Sequence, residues 1–307
     1  MKSIIVYAPA KVNIVLRVLG RRADGYHDLF MIMEKLSLAD ELLLEEIPFG
    51  TEIAIEGESD VGMASEKNLA YRAAELFRKE IGEKQGIRIH LKKRIPIAAG
   101  LGGGSSDAAA VLRGLNRLWQ KGLNSNELGI LGAKLGGDVP FFCFDGPAIV
   151  EGIGDRVTTI PNLPNLFLLL INPGVAVSTS WVYQEYDRLL GGLKSHVSGH
   201  RSLELTPNVK DASNCGLLKG FCNVISSLEN DLEDVTLAVY PEVREIRDFL
   251  ISQGADGALM SGSGPTVFGM FENAKARDKV LGHISNKNWK VFATDNIRDP
   301  ESGTRDQ

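Results

Sequence analysis

The chain has 307 residues, 44% of them hydrophobic and 24% charged, the balance of a globular protein rather than of a disordered or collagen-like one. Its length exceeds the roughly 100 to 200 residues usual for one domain, so two lobes with a cleft are expected, residues 1–160 and 161–307. A formal net charge of −5, with Lys and Arg scattered along the chain, argues against a nucleic-acid partner.

In chain order, residues 1–7 hold one lysine and a short β-like run. No later apolar run has the length of a membrane span, so neither export nor membrane association is expected and the reading is cytoplasmic. Val12, Ile14, Leu16 and Val18 alternate with Asn13, Val15 and Arg17, a strand period weakened only by Val15. Strands are predicted at 41–47 and 52–56 around turn residues 48–50. Asn68 caps a helix to about residue 79, and Ile87, Ile89 and Leu91 alternate as a further strand. Ala108, Val111, Leu112, Leu115 and Leu118 recur at helical spacing, so a helix is expected from Ser105 or Ser106 to about residue 120. The apolar run 167–171 reads as a buried strand. The polar stretch 191–213 reads as an exposed loop. Helices follow at about 217–228, 235–240 and 242–253, then a glycine-rich strand-turn at 258–271, a helix at 274–285, a strand at 289–293 and a frayed tail from Arg298. The three cysteines, Cys143, Cys215 and Cys222, lack zinc-like spacing and fit reduced, buried small hydrophobes. The fold class is α+β.

The most informative stretch lies between the fourth strand and the helix that follows: Pro96, then Gly100, Leu101, Gly102, Gly103, Gly104, Ser105, Ser106 and Asp107. Glycines let backbone N–H groups approach an anion without a Cβ in the way, and the following helix adds partial positive charge at its start. The pattern is a phosphate cradle, with Gly103 expected to keep space for the phosphates. No lysine follows the glycines, so this is not a Walker loop, and the Rossmann spacing fails at Ser105.

This loop resembles the phosphate motif of the GHMP kinases. Ala8-Pro9-Ala10-Lys11-Val12-Asn13 resembles the N-terminal motif of that family, and Ser261-Gly262-Ser263-Gly264-Pro265-Thr266-Val267-Phe268 its C-terminal glycine motif. The likeness covers nearly the whole chain. It implies a ribosomal-S5-like N-terminal lobe, a ferredoxin-like C-terminal lobe, ATP and Mg²⁺ as cofactors, and phosphorylation of a small-molecule hydroxyl. Pro96, Gly100, Gly102, Gly103, Gly104, Ser105 and Ser106 would then hold the nucleotide phosphates, with Asn68 near the adenine unless it serves only as a helix cap. No residue is assigned to the metal.

Asp138 in Gly137-Asp138-Val139-Pro140-Phe141-Phe142 matches the base of the family, although on its own it also reads as a turn or N-cap aspartate. Lys11 matches the lysine beside that base, although a strand-end lysine is commonly a solvated one. Asn13, two residues on, shares its strand face and would hold substrate hydroxyls. Gly20-Arg21-Arg22-Ala23-Asp24-Gly25-Tyr26-His27 and Glu151-Gly152-Ile153-Gly154-Asp155 resemble the branch acting on a cytidine diphosphate-linked methylerythritol. That implies recognition of cytosine by Tyr26, His27, Thr179 and Tyr183, with Trp181 and Tyr186 as rivals to Tyr183. Homoserine and mevalonate kinases, an ATP-using decarboxylase and a non-catalytic ATP and sugar sensor stay open as alternatives.

Overall fold

The computed structural model describes residues 2–57, 65–193, 218–284 and 288–297. Two long strands form the spine of the first sheet, β1 (Ser3–Arg21) and β2 (His27–Ile47), paired antiparallel from end to end. Ala10 to Leu16 are buried without a break, because helices cover one side of β1 and the second sheet the other. A strand buried on both faces loses the polar alternation that marks it in sequence. Register shifts near Pro9, Asn13 and Val18 disturb the period further.

The sheet continues through β3 (Thr51–Glu56) and β4 (Gly86–Lys92) on one side, giving the order β3-β4-β2-β1-β8, while β5 (Ala148–Gly152) pairs with β2 and β6 (Arg156–Thr159) with β5. The last strand of that order, β8 (Glu229–Asn230), comes from far along the chain and runs parallel to β1. α1 (Leu69–Ile81) and α2 (Gly103–Leu118) lie on this sheet. Asn68 caps α1 as expected, its Oδ1 accepting from the N–H of Ala70 at 2.8 Å. Ala108, Val111, Leu112 and Leu115 of α2 join Val6, Leu42 and Leu44 in one core.

α3 (Ser125–Ala133) and the single turn α4 (Val139–Cys143) follow α2. β7 (Phe167–Asn172) is the buried strand expected, and α5 (Thr179–Leu193) leads away from it. After α6 (Phe221–Ser226), α7 (Glu233–Val239) and α8 (Pro241–Ser252), a second sheet is completed by β9 (Gly257–Met260), β10 (Val267–Phe271) and β11 (Lys290–Asp295), with α9 (Ala274–Leu281) between the last two. Its order is β11-β7-β10-β9, antiparallel throughout. The two sheets are tied where the Ile297 N–H donates to Lys35 O at 3.0 Å and Ser37 Oγ meets Thr294 Oγ1 at 2.9 Å.

Several expectations need correction. α2 begins at Gly103, not at Ser105 or Ser106, because the glycines themselves form its first turn. Residues 191–193 belong to α5, and the rest of the expected 191–213 loop lies outside the described residues, as do Cys215 and the tail from Arg298. The helix expected from about 217 starts only after Gly220. Cys143 is buried, and burial pushes its thiol pKa up to about 12, whereas Cys222 is exposed and is no core residue. Among the described residues no helix is long and apolar enough to cross a membrane.

Candidate active site

Three separated segments are tied together by hydrogen bonds to backbone carbonyls. The Lys11 N–H on β1 donates to Leu101 O at 3.0 Å, and Ser261 Oγ donates to Gly100 O at 2.9 Å. Asn230 on β8 holds the third segment, its Nδ2 donating to Met260 O and Gly262 O, both at 2.8 Å. Together they border a cavity of about 410 Å³.

Within the glycine loop, Gly102 sits at φ 70° and the Ser106 N–H is the first to bond back into α2, to Gly102 O at 2.9 Å. The N–H groups of Gly103, Gly104 and Ser105 precede that bond and have no intrahelical acceptor. A helix start with free donors and an aligned dipole binds anions. The glycines have different reasons to be glycine. A β-carbon on Gly103 would lie 3.0 Å from Ile95 Cγ2 and 3.4 Å from Lys93 Nζ. It is packed tightly against Ile95 and Lys93 beneath it, a constraint that stands beside the expected room for phosphate.

Lys11 is not a solvated lysine. Its side chain is 4% exposed, and its Nζ donates to Asn13 Oδ1 at 2.6 Å and lies 4.0 Å from Asp138 Oδ2. Burial pulls the ammonium pKa below its ordinary value, and the Asp138 charge opposes that pull. Asp138 stands at the N-cap position of α4 yet makes no side-chain cap bond. Its carboxylate is 35% exposed and lines the cavity. The capping alternative is thereby removed. The Glu151 to Asp155 motif explains how Asp138 is placed. It forms the turn between β5 and β6, and a β-carbon on Gly137 would run into the backbone of Ile153. The chain before Asp138 can lie on this turn only as glycine.

Lys11, Asn13, Asn68, Pro96, Gly100, Gly102, Gly103, Gly104, Ser105, Asp138, Thr179 and Tyr183 all line the cavity. Ser106, Tyr26 and His27 do not. Ser106 is buried in α2, its hydroxyl without a hydrogen-bond partner among the described residues. Tyr26 is 63% exposed on the turn joining β1 and β2. His27 is buried behind Tyr183, the two rings stacked with centroids 4.8 Å apart, and its Nε2 meets Asp187 Oδ1 at 2.8 Å. Thr179 Oγ1 is 2.8 Å from Ser263 Oγ. Of the aromatic rivals on α5, Tyr183 alone borders the cavity, while Trp181 packs edge-on against Tyr240. Lys93, Lys67 and Ser263 also line the cavity, outside the site residues expected from the sequence. Nothing in the period of β4 marks Lys93, since a charged residue at a strand end is ordinary.

Residues 68–146 match the GHMP kinases N terminal domain and residues 214–291 the GHMP kinases C terminal region. A 4-diphosphocytidyl-2-C-methyl-D-erythritol kinase of Geobacter metallireducens is 44% identical over 294 residues, covering 95% of this chain and 98% of its own length. The chain belongs to the GHMP kinase family. A crystal structure of a 4-(cytidine 5'-diphospho)-2C-methyl-D-erythritol kinase superposes with a TM-score of 0.72 at 32% identity, covering 96% of this GHMP kinase and 100% of that chain. A homoserine kinase from Cytophaga hutchinsonii superposes with a TM-score of 0.68 at 21% identity, over 96% of each chain. The second likeness speaks for the fold alone.

Proposed function

We propose that this GHMP kinase transfers the γ-phosphoryl group of ATP to the 2-hydroxyl of 4-diphosphocytidyl-2-C-methyl-D-erythritol, giving the 2-phosphate and ADP, as a cytoplasmic step of non-mevalonate isoprenoid precursor synthesis. The observation that carries the reading is the Asp138 carboxylate, free of any cap and 4.0 Å from a buried lysine, in the cavity that also holds the glycine loop. A sensor has no need of that pairing.

Asp138 takes the proton of the substrate hydroxyl as its oxygen attacks the γ-phosphorus and the bond to the bridging oxygen of ADP breaks. The partial exposure of Asp138 lets the proton leave to solvent. Lys11, held by Asn13 and 4.0 Å from Asp138, places its positive charge beside the base and, with Asn13, orients the hydroxyl. The N–H groups of Gly103, Gly104 and Ser105 stabilise the charge spreading over the transferring phosphoryl group. Mg²⁺ enters as part of the nucleotide substrate. Among the described residues no group of three His, Cys, Asp or Glu could hold a metal ion, and Mg²⁺ is commonly held through substrate phosphates and water. The lobe division at 160/161 belongs to the same proposal, with the reacting atoms in the cleft.

Cytosine recognition rests on Tyr183 and His27, which already form a stacked pair, with Thr179 beside them and Tyr26 exposed nearby in sequence. Removing one stacking ring costs about 1 to 3 kcal/mol for a base. Tyr183→Ala is therefore expected to raise KM for the cytidyl substrate roughly 5- to 150-fold, with KM for ATP changed far less. The same steady-state measurement on Tyr26→Ala decides whether that exposed ring closes over the base. An unchanged cytidyl KM in a folded Tyr183→Ala enzyme would remove the stacking assignment.

A further inference from the structure

Beneath the glycine loop lies a buried ionic cluster that the transfer chemistry does not use. Lys93 directly follows β4, and its Nζ lies 2.5 Å from Asp40 Oδ2 and 2.7 Å from Asp107 Oδ2. The three side chains are 9%, 0% and 5% exposed. Asp40, on β2, is fully used, because its other oxygen accepts the N–H groups of Arg94 and Ile95 at 2.5 and 2.8 Å. That pair pins the chain as it enters the loop. Asp107, on the second turn of α2, is not fully used. Its Oδ1 is buried and has no hydrogen-bond partner among the described residues, and the residue borders the cavity.

Two carboxylates sharing one ammonium leave a net charge of −1 in a buried place. An uncompensated buried charge is costly, and the group relieves the cost by taking a proton. Asp40 accepts two backbone N–H groups besides the shared lysine, whereas Asp107 accepts only from the lysine and its Oδ1 has no partner among the described residues. The proton therefore belongs on Asp107. Consistently, burial pushes its pKa up to about 7, with Lys93 opposing and Asp40 adding to the rise. Burial alone would lower the pKa of Lys93, but Asp107 and Asp40 more than offset it and the ammonium is held charged. Lys93 and Asp40 are the charged groups acting on Asp107; Lys11, Lys67 and Asp138 also border the cavity.

We infer that Asp107 is a positioning residue for the nucleotide, which holds the glycine loop through Lys93 and takes up a proton when nucleotide phosphates settle on the start of α2. This rests on the kinase reading above. Nucleotide phosphates bring negative charge to the turn that carries Asp107, and a like charge disfavours the ionised acid. The bound state then holds more protons than the free one. By linkage, nucleotide affinity must fall as pH rises above the pKa of Asp107 in the free enzyme.

The test is calorimetric titration of the full chain with ADP, without metal, at about pH 8 in two buffers of different ionisation enthalpy. There the terminal phosphate of the nucleotide, which ionises near 6, is already fully charged. Uptake of a fraction of a proton is expected, with Kd rising several-fold between about pH 7 and about pH 9. Asp107→Asn, which has the shape of the protonated acid, should bind at about pH 9 as the wild type does at about pH 7, with no uptake. ADP binding without proton uptake by the wild-type chain overturns the inference, and that measurement needs no variant to fold. Uptake that persists in Asp107→Asn overturns it too. Absence of ADP binding at every pH would instead count against the kinase reading itself.

Discussion

Replacing Asp138 by Asn is expected to lower kcat by about 10² to 10⁴, the usual worth of a general base, with ADP affinity close to that of the wild type. The structure makes this substitution clean. Asp138 accepts no cap bond and is 35% exposed, so the amide leaves no buried group unsatisfied and α4 keeps its start. A carboxylate that merely capped the helix would show the opposite pattern, a fall in stability of about 1 kcal/mol with turnover intact. Steady-state kinetics beside a thermal unfolding curve separate the two. Lost kcat with an unchanged unfolding midpoint supports the base; unchanged kcat removes it.

The second large effect is expected at Gly100, which sits at φ 76°. An alanine there meets two costs. The left-handed conformation costs an L-residue roughly 1 to 2 kcal/mol, and its β-carbon would run into Ser261 O and stand 3.0 Å from Gly264 O. The loop can relieve the clash only by leaving the turn it is bonded to, losing the Ser261 Oγ to Gly100 O bond. Gly100→Ala should therefore raise KM for ATP by at least about tenfold, the equivalent of 1.4 kcal/mol, and lower the unfolding midpoint by a few degrees. Gly82→Ala is the control. Gly82 ends α1 at φ 67°, and a β-carbon there meets nothing within 4 Å. It should lower stability and leave KM for ATP alone. Equal effects of the two variants on KM would mean that loss of stability, not displacement of the loop, is being read.

The parts of the site legible in the sequence are those where chemistry needs an unusual local composition. Four glycines in residues 100–104 announce a cradle wherever they occur, and the cap at Asn68 follows from the residue type and the helix after it. Lys11 and Asp138 were legible only as members of motifs. Burial of the one and the uncapped state of the other are properties of the packed chain, set by β1 lying between two layers and by Gly137 lying against Ile153. The long strands are only partly legible because Ala10 to Leu16 are buried on both faces and alternation vanishes there. Helical spacing puts the first turn of α2 two or three residues late, because glycine is a poor helix former and propensity carries no trace of the tertiary bonds that hold Gly100 and Leu101. The cluster under the loop had no signal at all. Lys93 finds Asp107 14 residues away and Asp40 53 residues away, and no periodicity brings three such positions together before the sheet forms.

Turnover with candidate alcohols tests the proposed reaction. The chain is incubated with ATP and Mg²⁺ and, in separate reactions, with 4-diphosphocytidyl-2-C-methyl-D-erythritol, homoserine or mevalonate, and ADP and the phosphorylated product are followed together. Stoichiometric ADP and 2-phosphate are expected from the cytidyl substrate, on the order of 1 to 10³ turnovers per second as for ordinary enzymes, and only background ADP from the other two. Faster ADP release with homoserine or mevalonate than with the cytidyl alcohol would contradict the proposed reaction.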